Sequence, residues 1–479
     1  MASVRGLVSF VVSLGMICPM CPMCPMCALT AAAQGPVQVW LTTQDRTVLE
    51  AKQTALRFKP GAATVDAAVI TVNDKQRYQT MDGFGFALTG GSAQLMMKMD
   101  ADKRADLIKE LFGTGPGQLG ISYLRVSIGS SDLNDHVFTY DDMPAGQTDE
   151  KLEHFDLGPD KHDVILVLKE ALKINPKIQI LASPWSAPPW MKTNDDAKGG
   201  NLKPEYYGVY ADFLIKYLKA MKAEGITIDT LTIQNEPLNP KNTPSMVMTA
   251  EEQAKFIDAG FGEKLKRSRL KTKIVDYDHN CDRPDYATTV LADPVASKYV
   301  DGSGFHLYGG TIDAMTKVHD EYPKKNLYFT EQMVVDGRNA TQLRVAAPVN
   351  RIVIGATRNW SKNVLLWNLA ADPKFEPHTD NGGCGSCEGA ITLDGNMVTR
   401  NLAYYTIAPF TEFVRPGAVH VESSSATNTL GNVAFHTKDG KTVLVVANTA
   451  QAAQDFLVRW HEKSFSTTLP AGAVATYVW

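Results

Sequence analysis

Through the middle of the 479-residue chain, short apolar runs alternate with segments of helical spacing. Eight runs read as strands: GFGFAL (83–88), SYLRVSI (122–128), IQILASPW (178–185), TLTIQNE (230–236), KIVDYDHN (273–280), GSGFHLY (302–308), NLYFTEQ (326–332) and NVLLWNLA (363–370). Each is rich in β-branched and aromatic residues, the composition of buried strands. Between them, Tyr207 to Ala223 carries apolar residues at helical spacing. Thr249 to Lys266 opens on Thr249-Ala250-Glu251-Glu252, a capping-box pattern, and Thr341 to Trp360 is a third helix. Eight β-α units predict a (β/α)8 TIM barrel. The rival is an open doubly wound sheet, which needs a Gly-rich phosphate turn after its first strand. Here Gly83-Phe84-Gly85 opens the first strand instead, and no G-x-G-x-x-G follows.

The chain ends carry a different pattern. Residues 412–479 hold short alternating runs (NVAFHT, TVLVVANT, QDFLVRW, AVATYVW) divided by turns such as Lys438-Asp439-Gly440. Residues 36–80 add VQVWLTT and VITVN. Both stretches read as all-β and are expected to pair with each other. The predicted organisation is an α/β chain: a barrel over 81–405, inserted into an appended all-β sandwich built from 34–80 and 406–479.

Residues 1–33 read as a secretory signal peptide. Arg5 precedes an apolar stretch from Leu7 to Ile17, and Ala31-Ala32-Ala33 forms a small-residue cleavage site. The stretch is too short and too interrupted by proline for a transmembrane helix. A secreted protein, extracellular or periplasmic, is expected after cleavage near Ala33. The C-P-M repeat of Cys18, Cys21, Cys24 and Cys27 has metal-like spacing but falls inside this leader. Beyond it remain Cys281, read as a free thiol, and Cys384-Gly385-Ser386-Cys387, either a tight disulfide or two free thiols. The formal net charge of −4 and the lack of a basic run argue against nucleic acid as a partner. Oligomeric state is left open.

Barrel enzymes place their chemistry at the C-terminal ends of the strands. Those ends supply Arg125, Trp185, Asn235, Glu236, His306, Tyr308, Glu331, Trp367 and Asn368. Taken singly, each has an ordinary structural explanation, as an ion pair, cap or packed ring. Taken together, Glu236 and Glu331 are two acids on one rim among aromatic platforms, the arrangement that cleaves glycosidic bonds. Arg125 is placed to keep Glu331 ionised.

The blocks MDGFGFALTGGSAQLM (81–96), LRVSIGSSDLN (124–134), ASPWSAPPWMKTN (182–194), TIQNEP (232–237), YFTEQ (328–332) and LLWNLAADP (365–373) resemble, in order, glycoside hydrolase family 30. That family holds glucosylceramidases and β-1,6-glucanases. The resemblance implies a barrel with a β-sandwich made from both chain ends. It implies Glu236 as acid/base, Glu331 as nucleophile, and Asn235 as partner of the sugar 2-hydroxyl. Trp185 and Trp367 would line the sugar subsite, and Tyr308 would stand near the nucleophile; His306 and Arg125, from the strand ends, are grouped with them as substrate-binding candidates. No metal or organic cofactor is implied. The expected activity is retaining hydrolysis of a β-glucan, glucosylceramide or other β-glucoside. The alternatives are action on a xyloside or fucoside, or sugar binding without catalysis. Two departures stand out. Thr89-Gly90-Gly91 lacks an acid that many relatives carry after the threonine, and Leu307 stands where animal glucosylceramidases have tryptophan.

Overall fold

The computed structural model describes residues 35–61, 68–336, 340–424 and 427–479. The expected leader and its four cysteines lie outside these. The eight expected strands close into one parallel barrel: β1 (Gly83–Ala87), β2 (Tyr123–Ile128), β3 (Gln179–Pro184), β4 (Thr230–Thr232), β5 (Lys273–Cys281), β6 (Val300–Gly310), β7 (Asn326–Glu331) and β8 (Ser361–Leu366). Each strand pairs with its sequence neighbour, and β8 pairs with β1. Both faces of such strands are covered, which is why they read as unbroken apolar runs. Tyr123, Leu181 and Leu365 form an apolar layer. At the strand starts, Lys362 pairs with Asp82 at 3.5 Å and Lys273 with Asp301 at 3.6 Å. The apolar layer lies between that ionic plug and the C-terminal rim.

Strand β4 is shorter than its apolar run. It ends at Thr232, because the backbone then leaves the ladder. Asn235 N–H donates to Pro184 O (2.8 Å) and Glu236 N–H to Asp278 O (3.0 Å). Glu236 takes a left-handed φ of 43°. Such a backbone is uncommon away from glycine and recurs at functional sites.

Helix Tyr207–Ala223 has the expected bounds and buries Tyr210, Leu214, Tyr217, Leu218 and Met221 on one stripe. Thr249 and Glu252 make the capping box. The helix behind it is interrupted: Ala250–Phe256 passes through a wider turn, Ile257–Phe261, where Gly260 has φ 136°, into Gly262–Arg267. The helix expected from Thr341 starts only at Ala346, with Pro348 in its first turn, where a missing N–H costs nothing.

The two chain ends build one ten-stranded sheet. Val37–Thr42 pairs with Val474–Val478, and the thirteen-residue strand Ala68–Thr80 changes partner along its length. Its first part runs parallel to Phe456–Trp460, and its second runs antiparallel to Val419–Ser423. The change folds the sheet into a sandwich. Tyr477 thereby meets Phe465 (5.6 Å) and Phe456 (6.2 Å) from strands far from it in the sheet order. The fully buried helix Leu402–Thr411 spans the expected 405/406 boundary, and Val419 opens the next sandwich strand. Phe84 of β1 packs on Phe410 (5.4 Å) and Phe435 (6.3 Å), so barrel and sandwich share core.

Candidate active site

A cavity of about 440 Å³ opens at the C-terminal rim. Its lining includes Glu236, Glu331, Asn235, Trp185, Trp367, Tyr308 and Asp132. One carboxylate oxygen each of Glu236 and Glu331 lie within 4.8 Å of one another, together with a ring nitrogen of His306. Trp185 and Trp367 stack at 5.5 Å, and the Arg125 guanidinium lies 4.8 Å over Trp185. Tyr308 stands at the rim, 44 % exposed, with its hydroxyl donating to Glu331 Oε1 at 3.0 Å.

Arg125 and His306 are grouped with the sugar contacts by sequence, but the structure sets them beneath the carboxylates. Both are fully buried and neither lines the cavity. Arg125 donates to Glu331 Oε2 (2.5 Å), Asn235 Oδ1 (2.7 Å) and Asp278 Oδ2 (2.9 Å). His306 places Nδ1 at 3.2 Å from Glu236 Oε1 and Nε2 at 3.1 Å from Asp278 Oδ1. Both ring nitrogens thus face carboxylates, the arrangement of an imidazolium donating twice.

Asp278 is the hub that sequence reasoning missed. It accepts from Arg125, Ser183 (2.6 Å) and Thr232 (2.7 Å), as well as from His306. Tyr277 (φ 66°) and Asp278 (φ 63°) are both left-handed, and this kink in β5 turns the Asp278 carboxylate inward. The polar string D-Y-D-H-N ending β5 was the available signal. His279 also faces Glu236, at 4.0 Å. Asp132, in the S-S-D-L-N block, was missed as well. Asp132 lines the cavity, whereas at Gly90 any side chain would meet the pinned Asn134 amide (1.9 Å from a Cβ). Leu307 faces the core, not the cavity.

Burial pushes the carboxyl of Glu331 up, opposed by the charges of His306 and Arg125. Burial also acts on Glu236, but the His306 hydrogen bond and the His306 and His279 charges outweigh it and hold the group at about 2. Burial lowers His306, but Glu331, Asp278 and Glu236 outweigh it and lift the ring to about 9. Glu236 and His306 therefore form a coupled pair in which His306 carries the proton and Glu236 is ionised. Burial, with the charges of Glu331 and Glu236, lifts Asp132 to about 8, so its carboxyl can donate as well as accept.

Among the described residues, Cys384 and Cys387 form a disulfide, and Cys281 is a buried free thiol. No described helix is long and apolar enough to cross a membrane.

The family model for the glycosyl hydrolase family 30 TIM-barrel domain matches residues 81–414, and that for the family's beta sandwich domain matches 417–477. The endo-1,6-beta-D-glucanase of Neurospora crassa is 34% identical over 407 residues, covering 81% of this chain and 83% of that protein. The mouse lysosomal acid glucosylceramidase is 26% identical over 440 residues, covering 86% and 83%. A solved endo-beta1,6-glucanase superposes with a TM-score of 0.85 at 34% identity, covering 93% of this chain and 99% of its own. The chain belongs to glycosyl hydrolase family 30 and is a glycoside hydrolase.

Proposed function

We propose that this enzyme is an exported β-1,6-glucanase working by double displacement, with Glu331 as nucleophile and Glu236 as acid/base. The observation that carries the assignment of roles is the asymmetry around the two acids. Glu331 is clamped by Arg125 and Tyr308, which aim an oxygen and stabilise its charge. Glu236 faces His306, which carries the proton of the pair and can pass it to the carboxylate. Glu331 attacks the anomeric carbon while the Glu236–His306 unit protonates the leaving oxygen. Glu236 then takes a proton from water, which releases the sugar. The closest approach of the two carboxyls, within 4.8 Å, agrees with the gap of ~5–5.5 Å in retaining enzymes, against ~6.5–9.5 Å in inverting ones. Asn235 serves the 2-hydroxyl. Trp185 offers a buried Nε1–H that has no acceptor among the described residues, and Asp132 offers a carboxyl to the outer hydroxyls.

The choice of linkage rests on relatives: glucanases of β-1,6 type stand at 34%, 31% and 31% over 81% or more of the chain, glucosylceramidases at 26–31%. Export is supported by the leader pattern and by the Cys384–Cys387 bridge, since disulfides persist in oxidising compartments. The test is product analysis on β-1,6-glucan and on glucosylceramide, using the chain from Gln34 with Glu331→Ala as control. Oligosaccharides from wild type alone are expected. Release of glucose from glucosylceramide, with the glucan untouched, would overturn the linkage.

The pH profile checks the proton assignment. Activity needs Glu331 ionised, so it is lost as pH falls through that raised carboxyl value. It also needs the proton of the Glu236–His306 unit, so it is lost as pH rises towards about 9. His306→Gln removes the cation beside both acids. The acid limb of kcat/KM then moves up, the basic limb moves down, and the bell narrows from both sides. An unchanged basic limb would show that His306 carries no part of the proton.

A further inference from the structure

The loop between β8 and the hairpin Ile391–Arg400 has a role in the cavity that the catalytic pair does not explain. Its base is closed by parallel pairing of Ala370–Ala371 with Ile391–Thr392. Between them, the loop is tied to two other rim segments. Thr379 N–H donates to Asp132 O at 3.0 Å, and the Thr379 hydroxyl donates to Thr243 O at 2.5 Å. The Thr243 hydroxyl in turn donates to Asn381 O at 2.6 Å, and so does Lys198 Nζ at 2.6 Å. Gly382 has φ 133°, and a Cβ there would stand 2.6 Å from Lys241 O. The loop thus bridges the Asp132 segment and the segment that follows Glu236.

At its tip, Cys384 and Cys387 line the cavity, Cys387 only 4 % exposed. The pair packs with Trp185, Trp367, Leu133 and Met333 in one apolar cluster. The lining also includes Asn239, Asn280 and Tyr308, whose hydroxyl accepts from Met333 N–H at 3.0 Å. The lining therefore offers an apolar patch of sulfur and indole together with amide and hydroxyl groups and the two carboxylates. A pyranose ring has apolar C–H faces and polar equatorial edges, which matches a cavity that offers both kinds of surface. The bridge spans only three residues, so its restraint on the unfolded chain is small. Its main effect is local: it keeps the tip folded against the indoles.

We propose that the Cys384–Cys387 disulfide is a specificity-determining part of the sugar subsite, a rigid apolar wall against one C–H face of the bound β-glucosyl unit. This rests on the assignment of the cavity to a β-glucosyl substrate. Opening the bridge frees the tip and loosens the loop's hold on Asp132. The catalytic glutamates keep their own partners, none of which belongs to this loop. The loss therefore falls on binding. A dithiol reductant supplies the two electrons and two protons that convert the bridge to two thiols, itself becoming a cyclic disulfide.

The experiment compares wild type, Cys384→Ser/Cys387→Ser, and wild type reduced with dithiothreitol and then reoxidised. Steady-state rates are measured on β-1,6-glucan and on an aryl β-glucoside. Glucose binding is read separately from tryptophan fluorescence. Opening the bridge is expected to raise KM and the glucose Kd by about tenfold, the scale of losing a small apolar pocket contact. The fall in kcat/KM should sit mostly in KM, with recovery on reoxidation. Reduction of the folded wild type supplies the comparison should the serine variant fail to fold. Equal KM and equal glucose affinity in open and closed forms overturn the role, as does a loss confined to kcat. Binding that depends on the bridge, without turnover of any β-glucoside, sinks the glycosidase mechanism and leaves the wall standing. No glucose binding in either form overturns both.

Discussion

Glu331→Gln is expected to abolish turnover on every β-glucoside, by at least about 10⁴-fold, the scale on which a nucleophile is lost. Glu236→Gln should behave differently, because its task depends on the leaving group. On glucan, where the departing oxygen is a poor leaving group, the loss should be about 10²–10⁴-fold, the usual worth of general acid–base catalysis. On an aryl β-glucoside with an acidic phenol, the first step needs no proton and should survive. Hydrolysis of the glycosyl-enzyme still needs the base, so a burst of phenol followed by a slow steady state is expected. Azide separates the roles by stereochemistry. It should intercept the glycosyl-enzyme of Glu236→Gln from the β face and give the β-azide. In Glu331→Gly it should enter the vacated space below the ring and give the α-azide. The reverse pattern of anomers would exchange the two assignments. Both substitutions act within a fixed frame, since Arg125, Tyr308 and His306 are held by other partners as well.

The barrel was legible because its strands are covered on both faces, so GFGFA, YLRVSI and NLYFTE stand out as buried runs. Glu236 and Glu331 stood out for the same reason in reverse: an acid directly after an apolar run needs a partner. The network beneath them was not legible. Asp278 reaches Arg125 only through two successive left-handed residues, and nothing in the residue types of 277 and 278 announces that turn. Nor could the pattern show that β4 stops at Thr232, because Ile233 and Gln234 stay fully buried after leaving the ladder. In the sandwich, Lys463–Leu469 passed unnoticed since its alternation is carried by serine and threonine. The state of Cys384 and Cys387 was open in sequence because a C-x-x-C run fixes spacing but not oxidation.

Arg125→Met should be the most destabilising substitution near the site. Methionine replaces much of the buried stem, so what is lost is mainly charge and donors. Asp278 is fully buried and Glu331 nearly so, and both lose their guanidinium partner. Removing one member of a buried ion pair costs about 3–5 kcal/mol, because the remaining charge is left without compensation. The sign of the pH dependence follows from Asp278. Burial raises its carboxyl, but Arg125 and His306 outweigh burial and hold it well below the ordinary range. That stabilisation is present above the unfolded value and is lost as pH falls through the folded one. The gap in thermal stability between wild type and Arg125→Met should therefore be widest near neutral pH and shrink in acid, where the carboxylates take up protons. A gap independent of pH would instead assign the loss to packing over Trp185. Arg125→Lys tests geometry against charge. A single ammonium cannot donate in the fork that reaches Glu331, Asp278 and Asn235 together, so it should restore only part of the stability. Glu331 loses a lowering influence in Arg125→Met and part of it in Arg125→Lys, so the acid limb of kcat/KM should move upward, further in the first. The stability of the barrel rim and the ionisation of Glu331 thus both depend on the same guanidinium, and a calorimetric scan and a pH–rate profile on one variant should move together.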